Sequence, residues 1–93
     1  MATYIILSRI GPDAFTKDFK KMEADLDARI KAQCPGVHWR ESYMTLGRYD
    51  VVDIVEGNDP EEVARATTII RGLGRAMTET MPAQPWKEFV ARL

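Results

Sequence analysis

Residues 43–52 read Tyr43-Met44-Thr45-Leu46-Gly47-Arg48-Tyr49-Asp50-Val51-Val52, two strand-forming runs on either side of a short polar turn. The preceding strand runs from about Val37 to Leu46 and the following one from Asp50 to Glu56. Gly47-Arg48-Tyr49-Asp50 is short enough to join them as an antiparallel hairpin. Pairing Gly47 with Asp50 sets Met44 opposite Asp53 and Tyr43 opposite Ile54, and a one-residue slip would exchange the faces of every side chain.

Upstream of the hairpin, Phe15, Phe19, Met22, Leu26 and Ile30 recur at intervals of four, three, four and four, which places them on one helix face. Asp13, after the Gly11-Pro12 break, can cap this helix, and Cys34-Pro35-Gly36 ends it because Pro35 cannot continue it. Before it, Thr3–Ile10 is almost continuously apolar and β-branched, the pattern of a strand covered on both faces. Downstream, Asp59-Pro60-Glu61-Glu62 is a helix start: a capping carboxylate, a proline at the first helical position and two glutamates at the positive end of the dipole. Val63, Ala66, Thr67 and Ile70 form the inner stripe, and Gly72 is expected to stop the helix. A last strand follows from about Arg75 to Met81, ended by Pro82, and Trp86 to Leu93 reads as a short terminal helix.

The order is strand, helix, strand, strand, helix, strand, an α+β βαββαβ domain filling residues 1–93. Two helices cover one face of a four-stranded antiparallel sheet. The other face is also apolar, and a second copy of the chain is the economical cover, so a homodimer through sheet faces is expected.

Thirteen basic and fourteen acidic residues give a formal net charge of −1, which removes the electrostatic case for nucleic acid. The N-terminal apolar run ends at Arg9, too short for a membrane span or a signal-peptide core, so a cytoplasmic protein without membrane attachment is expected. Cys34 is the only cysteine and can form no internal disulfide. At the electronegative end of a helix its thiol is expected to be inert.

The hairpin resembles the signature of the GYD domain family of small bacterial proteins. Ile54-Val55-Glu56, Leu73-Gly74, Met77-Thr78-Glu79-Thr80-Met81 and the start Ala2-Thr3-Tyr4-Ile5-Ile6-Leu7-Ser8 extend the resemblance over nearly the whole chain. It implies ferredoxin-like subunits of the dimeric α/β-barrel group, packed sheet against sheet. Relatives in that group include haem-binding enzymes, cofactor-free monooxygenases, polyketide-processing enzymes and ligand-sensing domains, so the fold does not select one chemistry.

Five residues are candidates for a pocket or its rim: His38, Tyr43, Tyr49, Asp50 and Asp53. Tyr49 and Asp50 can offer a hydroxyl donor and a carboxylate acceptor to a ligand; equally, Asp50 can bind turn amides while Tyr49 packs over a neighbour. In that second reading Gly47 supplies a permissive turn backbone. His38 is the only histidine and the one side chain whose ordinary pKa suits proton transfer near neutrality. Relatives in the barrel group use histidines as haem ligands or bases, which keeps haem open as a cofactor although His38 cannot be aligned with those positions, and one histidine without a visible second ligand is weak evidence for a metal. Asp53 interrupts a central strand where the resemblance leads one to expect a small or apolar residue. Either it points into a polar cavity between sheets, or it pairs with Arg9, Arg40 or Arg75.

Trp39, Tyr43, Met44, Met77, Met81 and Trp86 can line an apolar or aromatic pocket, or form core and dimer interface. No metal motif, phosphate loop or nucleophile elbow is present, and no cofactor is indicated. The sequence therefore supports a homodimeric small-molecule-binding or accessory protein with a cavity between sheet and helices. Its alternative is a cofactor-independent enzyme, such as a monooxygenase or isomerase, acting on an aromatic or polyketide-like substrate.

Overall fold

Four strands and three helices follow one another as β1 (Ala2–Ile10), α1 (Phe19–Gln33), β2 (His38–Met44), β3 (Val51–Gly57), α2 (Pro60–Leu73), β4 (Ala76–Ala83) and α3 (Trp86–Ala91) in the computed structural model, which describes residues 1–15 and 17–93. The sheet is antiparallel with strand order β2-β3-β1-β4. The chain is thus an α+β, ferredoxin-like fold with α1 and α2 on one face.

Alternation along the central strands decides what each face carries. Tyr4, Ile6, Ser8 and Ile10 of β1 point to the helices, as do Val51, Asp53 and Val55 of β3; Ile6 and Val55 are fully buried. Leu26 and Ile30 of α1 and Val63, Ala66 and Ile70 of α2 close over them. Full burial of one such aliphatic side chain stabilises by about 1.5–3 kcal/mol, so this two-layer core carries most of the folding energy. The opposite face presents Ile5, Leu7, Val52, Ile54, Tyr43, Met77 and Met81, none of them fully buried.

Helix α2 begins as its sequence dictates. The Asp59 carboxylate accepts the Glu61 amide at 2.9 Å and Pro60 takes the first turn. It passes through Gly72 and ends at Leu73, because tertiary packing outweighs the propensity of one glycine. Helix α1 starts later than the periodicity predicts. Gly11-Pro12 instead opens a 3-10 turn over Pro12–Ala14, with the Ala14 amide on the Gly11 carbonyl at 3.0 Å. Asp13 therefore caps no helix, and Phe15 is exposed, its ring 4.9 Å from that of Phe19.

The hairpin register differs from the expected one by two residues: Met44 faces Val51 and Tyr43 faces Val52. An even shift preserves the faces. The loop is correspondingly longer, closed by the Thr45 amide on the Asp50 carbonyl at 2.9 Å and the Thr45 hydroxyl on the Tyr49 carbonyl at 2.7 Å. Gly47 has neither a positive φ nor a neighbour within reach of a Cβ, so this turn does not depend on glycine.

The expectation of a barrel is overturned. Strands β2 and β4 are the two edges and do not pair with each other, so the sheet stays open and uncurled. Closing a sheet requires its edges to meet, and here each edge is built to end the ladder. β2 carries a bulge between Trp39 and Glu41. β4 carries Pro82, which lies inside the strand opposite Tyr4 rather than terminating it; an edge strand tolerates the missing amide.

Candidate functional site

Between the sheet and the helices lies a cavity of about 180 Å³. The small and polar residues of the strands open it: Ser8 from β1, Ser42 from β2, Asp53 from β3 and Ala76 from β4. Met22, Glu23, Leu26, Asp27 and Ile30 of α1 form much of the remaining wall, with Trp39 and Ile70 among the residues that complete it. A larger side chain at Ser8 or Ala76 would fill the space; serine and alanine leave it open.

Asp53 is 7% exposed and accepts the Ser42 hydroxyl at 2.5 Å. It forms no ion pair among the described residues. The arginines considered as partners are engaged or sited elsewhere: Arg40 pairs with Glu56, Arg9 donates to the Arg48 carbonyl at 2.9 Å, and Arg75 sits in the left-handed region at φ 52°. Asp53 thus lines a cavity, one between sheet and helices rather than between sheets.

Ser8 is 3% exposed, and its hydroxyl has no hydrogen-bond partner among the described residues. Glu23 stands on the α1 side; burial pushes its carboxyl pKa up, and the charges of Asp53 and then Asp27 push it further. Asp27 is answered on the surface by Lys31 at 2.9 Å.

The other four candidates lie elsewhere. Asp50 is a structural clasp: its carboxylate accepts the Ile10 amide at 2.7 Å, and its own amide donates to the Ser8 carbonyl at 2.8 Å. Tyr49 lies under the Arg9 guanidinium, 5.9 Å from the ring centroid. A hydrogen bond to Glu79 pushes the Tyr49 phenol pKa up. Tyr43 donates to Glu41 on the open face, and that bond raises its pKa likewise. His38 is exposed, opposite Glu56.

The aromatic and methionine set is dispersed as well. Trp39 lines the cavity, Tyr43, Met77 and Met81 lie on the open face, and Trp86 is 74% exposed on α3. Cys34 is buried, and burial is the main cause of its raised thiol pKa. Ser8, Ser42 and Glu23 are the site residues that sequence reading missed. The available signal was a hydroxyl in each of two strands at positions alternating with apolar ones.

The GYD domain family model matches residues 4–93. The chain belongs to the GYD domain family. A glutamine synthetase and cystathionine beta-lyase binding protein of Thermus thermophilus is 31% identical over 103 residues, covering 100% of this chain and 99% of that protein. Among solved structures, FFRP-DM1 is 27% identical with a TM-score of 0.59, over 90% of this chain and 100% of its own. A hypothetical protein from Pyrococcus horikoshii is 26% identical with a TM-score of 0.57, over 91% of this chain and 92% of its own. No helix among the described residues of this GYD protein is long and apolar enough to cross a membrane.

Proposed function

We propose that this GYD protein is a small-molecule-binding accessory protein whose ligand site is the cavity between the sheet and helices α1 and α2. The Ser8 hydroxyl carries the reading. A buried hydroxyl without a protein partner is costly in a packed core, and here it faces a space of about 180 Å³. A partner from outside the chain, water or ligand, satisfies it. An engineered apolar cavity of about 150 Å³ binds benzene, so the volume suits a molecule of benzene size or slightly larger. The accessory half of the reading draws on the Thermus relative, whose name makes it a binding protein for two enzymes.

A homodimer belongs to the same reading. The face of Ile5, Leu7, Val52, Ile54 and Met77, with Arg9, Glu41 and Glu79 among them, is left uncovered by the helices, and a second copy supplies a matching face to cover its apolar part.

Trp39 and Trp86 are the only two tryptophans, and Trp39 lines the cavity. In the Trp86→Phe variant, fluorescence therefore reports on the site alone. A panel of small aromatic and aliphatic compounds is expected to contain members that quench or shift Trp39 saturably. Ala76→Leu, which fills the cavity, is expected to abolish the response. A panel with no saturable response, or one undiminished by Ala76→Leu, overturns the proposal.

A further inference from the structure

We infer that the cavity takes a small organic cation, an alkyl- or arylalkylammonium whose charged head lies against Asp53 and Glu23 and whose apolar body lies against Leu26, Ile30 and Ile70. The inference deepens the reading of the cavity as a ligand site and rests on it.

The charge of the lining is one-sided. Asp53, Glu23 and Asp27 contribute carboxylates, and no lysine, arginine or histidine lines the cavity. Asp27 already has its cation in Lys31. Asp53 and Glu23 take part in no ion pair among the described residues; for Asp53, 7% exposed, burial of a carboxylate is costly without a compensating charge, while Glu23 stands at the exposed rim of the cavity. Burial first, and then the Asp53 charge, make Glu23 hold its proton more tightly.

Ser8 is an independent observation. Its hydroxyl is 3% exposed, unpartnered and turned into the same space. An ammonium group carries three N–H donors and no acceptor. Asp53, Glu23 and Ser8 together offer it three acceptors, whereas an anion would meet two like charges.

A metal ion is a poorer occupant. Among the described residues no group of three or more histidine, cysteine, aspartate or glutamate side chains is placed to hold one, and the aliphatic wall supplies no oxygen ligands. Trp39 adds an aromatic face of the kind that attracts organic cations.

Three probes of one shape separate charge from size: benzylamine, protonated at neutral pH, benzyl alcohol and benzoate. Each is titrated into the full chain at pH 7 while the two tryptophan indole N–H resonances are followed by NMR. Benzylamine is expected to move the Trp39 signal, leave Trp86 in place and bind at least about tenfold more tightly than the alcohol, as charge-assisted hydrogen bonds require. Benzoate is expected not to bind. Glu23→Gln, at an exposed position, and Asp53→Asn are each expected to weaken benzylamine about tenfold while leaving the alcohol unchanged. If Asp53→Asn does not fold, Glu23→Gln carries the test.

Equal binding of amine and alcohol would sink the cation preference while leaving the cavity reading intact. No binding by any probe would count against both. A Trp86 response, or the same Trp39 shift with calcium chloride alone, would also overturn the inference.

Discussion

At the scale of single residues, the two aspartates just before β3 and within it do different jobs. Asp50 holds the hairpin to β1 through the Ile10 amide, while Asp53, three residues on, faces the cavity with Ser42. The difference is one of place: Asp50 lies in the hairpin just before β3, whereas Asp53 lies within β3 on the face turned to the helices. Glu23 reports on this arrangement through pH. Its raised pKa means that the folded chain binds the proton more tightly than the unfolded one. Its contribution to stability is therefore favourable at low pH. It is lost as pH rises from the ordinary value of 4.5 through the raised one. Glu23→Gln is expected to raise the urea midpoint at pH 7 and to flatten its pH dependence across that interval. An unchanged profile would show that the carboxylate is not under strain from its neighbours.

At the scale of elements, two glycines of the family-like segments behave oppositely. Gly74, which ends α2, is buried, and a Cβ there would come within 2.5 Å of the Ile70 carbonyl and 3.4 Å of Leu26. Gly47, in the hairpin, has open space around it. Gly74→Ala is expected to cost about 1–3 kcal/mol in chemical denaturation, the scale of overpacking. Gly47→Ala is expected to stay within about 0.5 kcal/mol of the parent, like other surface changes. The reverse order would mean that the hairpin, rather than the end of α2, is the constrained element. The edge strands obey the same local logic: a bulge in β2 and Pro82 in β4 keep the two edges apart, so the sheet remains open.

At the scale of the whole molecule, the protomer is elongated. Its extents are 49 × 30 × 16 Å and its radius of gyration 14.0 Å, against about 12 Å for a compact chain of this length. The C-terminal helix α3 contributes, with every residue exposed and the Trp86 ring tilted against that of Phe89, centroids 5.8 Å apart. One sheet face is packed and the other bare, a distribution that suits self-association. Sedimentation at micromolar concentration is expected to show a dimer. Met77→Lys with Met81→Lys is expected to give a monomer, since Met77 is 71% exposed in the protomer and charge there disturbs only the bare face. A parent chain that sediments as a monomer would contradict the proposed pairing.

The strand and helix order, the inner stripe of α2 and the capping of its first turn were legible in the sequence because they rest on local periodicity and local hydrogen bonds. Val63, Ala66, Thr67 and Ile70 are all buried for that reason. Family membership was legible too, carried by the hairpin segment itself. The late start of α1 was not, because Gly11-Pro12 favours a 3-10 turn that periodicity does not register. The hairpin register was hidden because the Thr45 bonds to Asp50 and Tyr49 that set the loop length leave no mark in the apolar pattern, and the open sheet was hidden because it depends on pairings between distant segments. The site is the clearest case. Asp53 stood out as a charge in a central strand, but Ser8, Ser42 and Glu23 come from three separate elements. Only folding brings their side chains to one cavity, because a sequence states which residues alternate along a strand, and only the packing of α1 over the sheet determines what faces them.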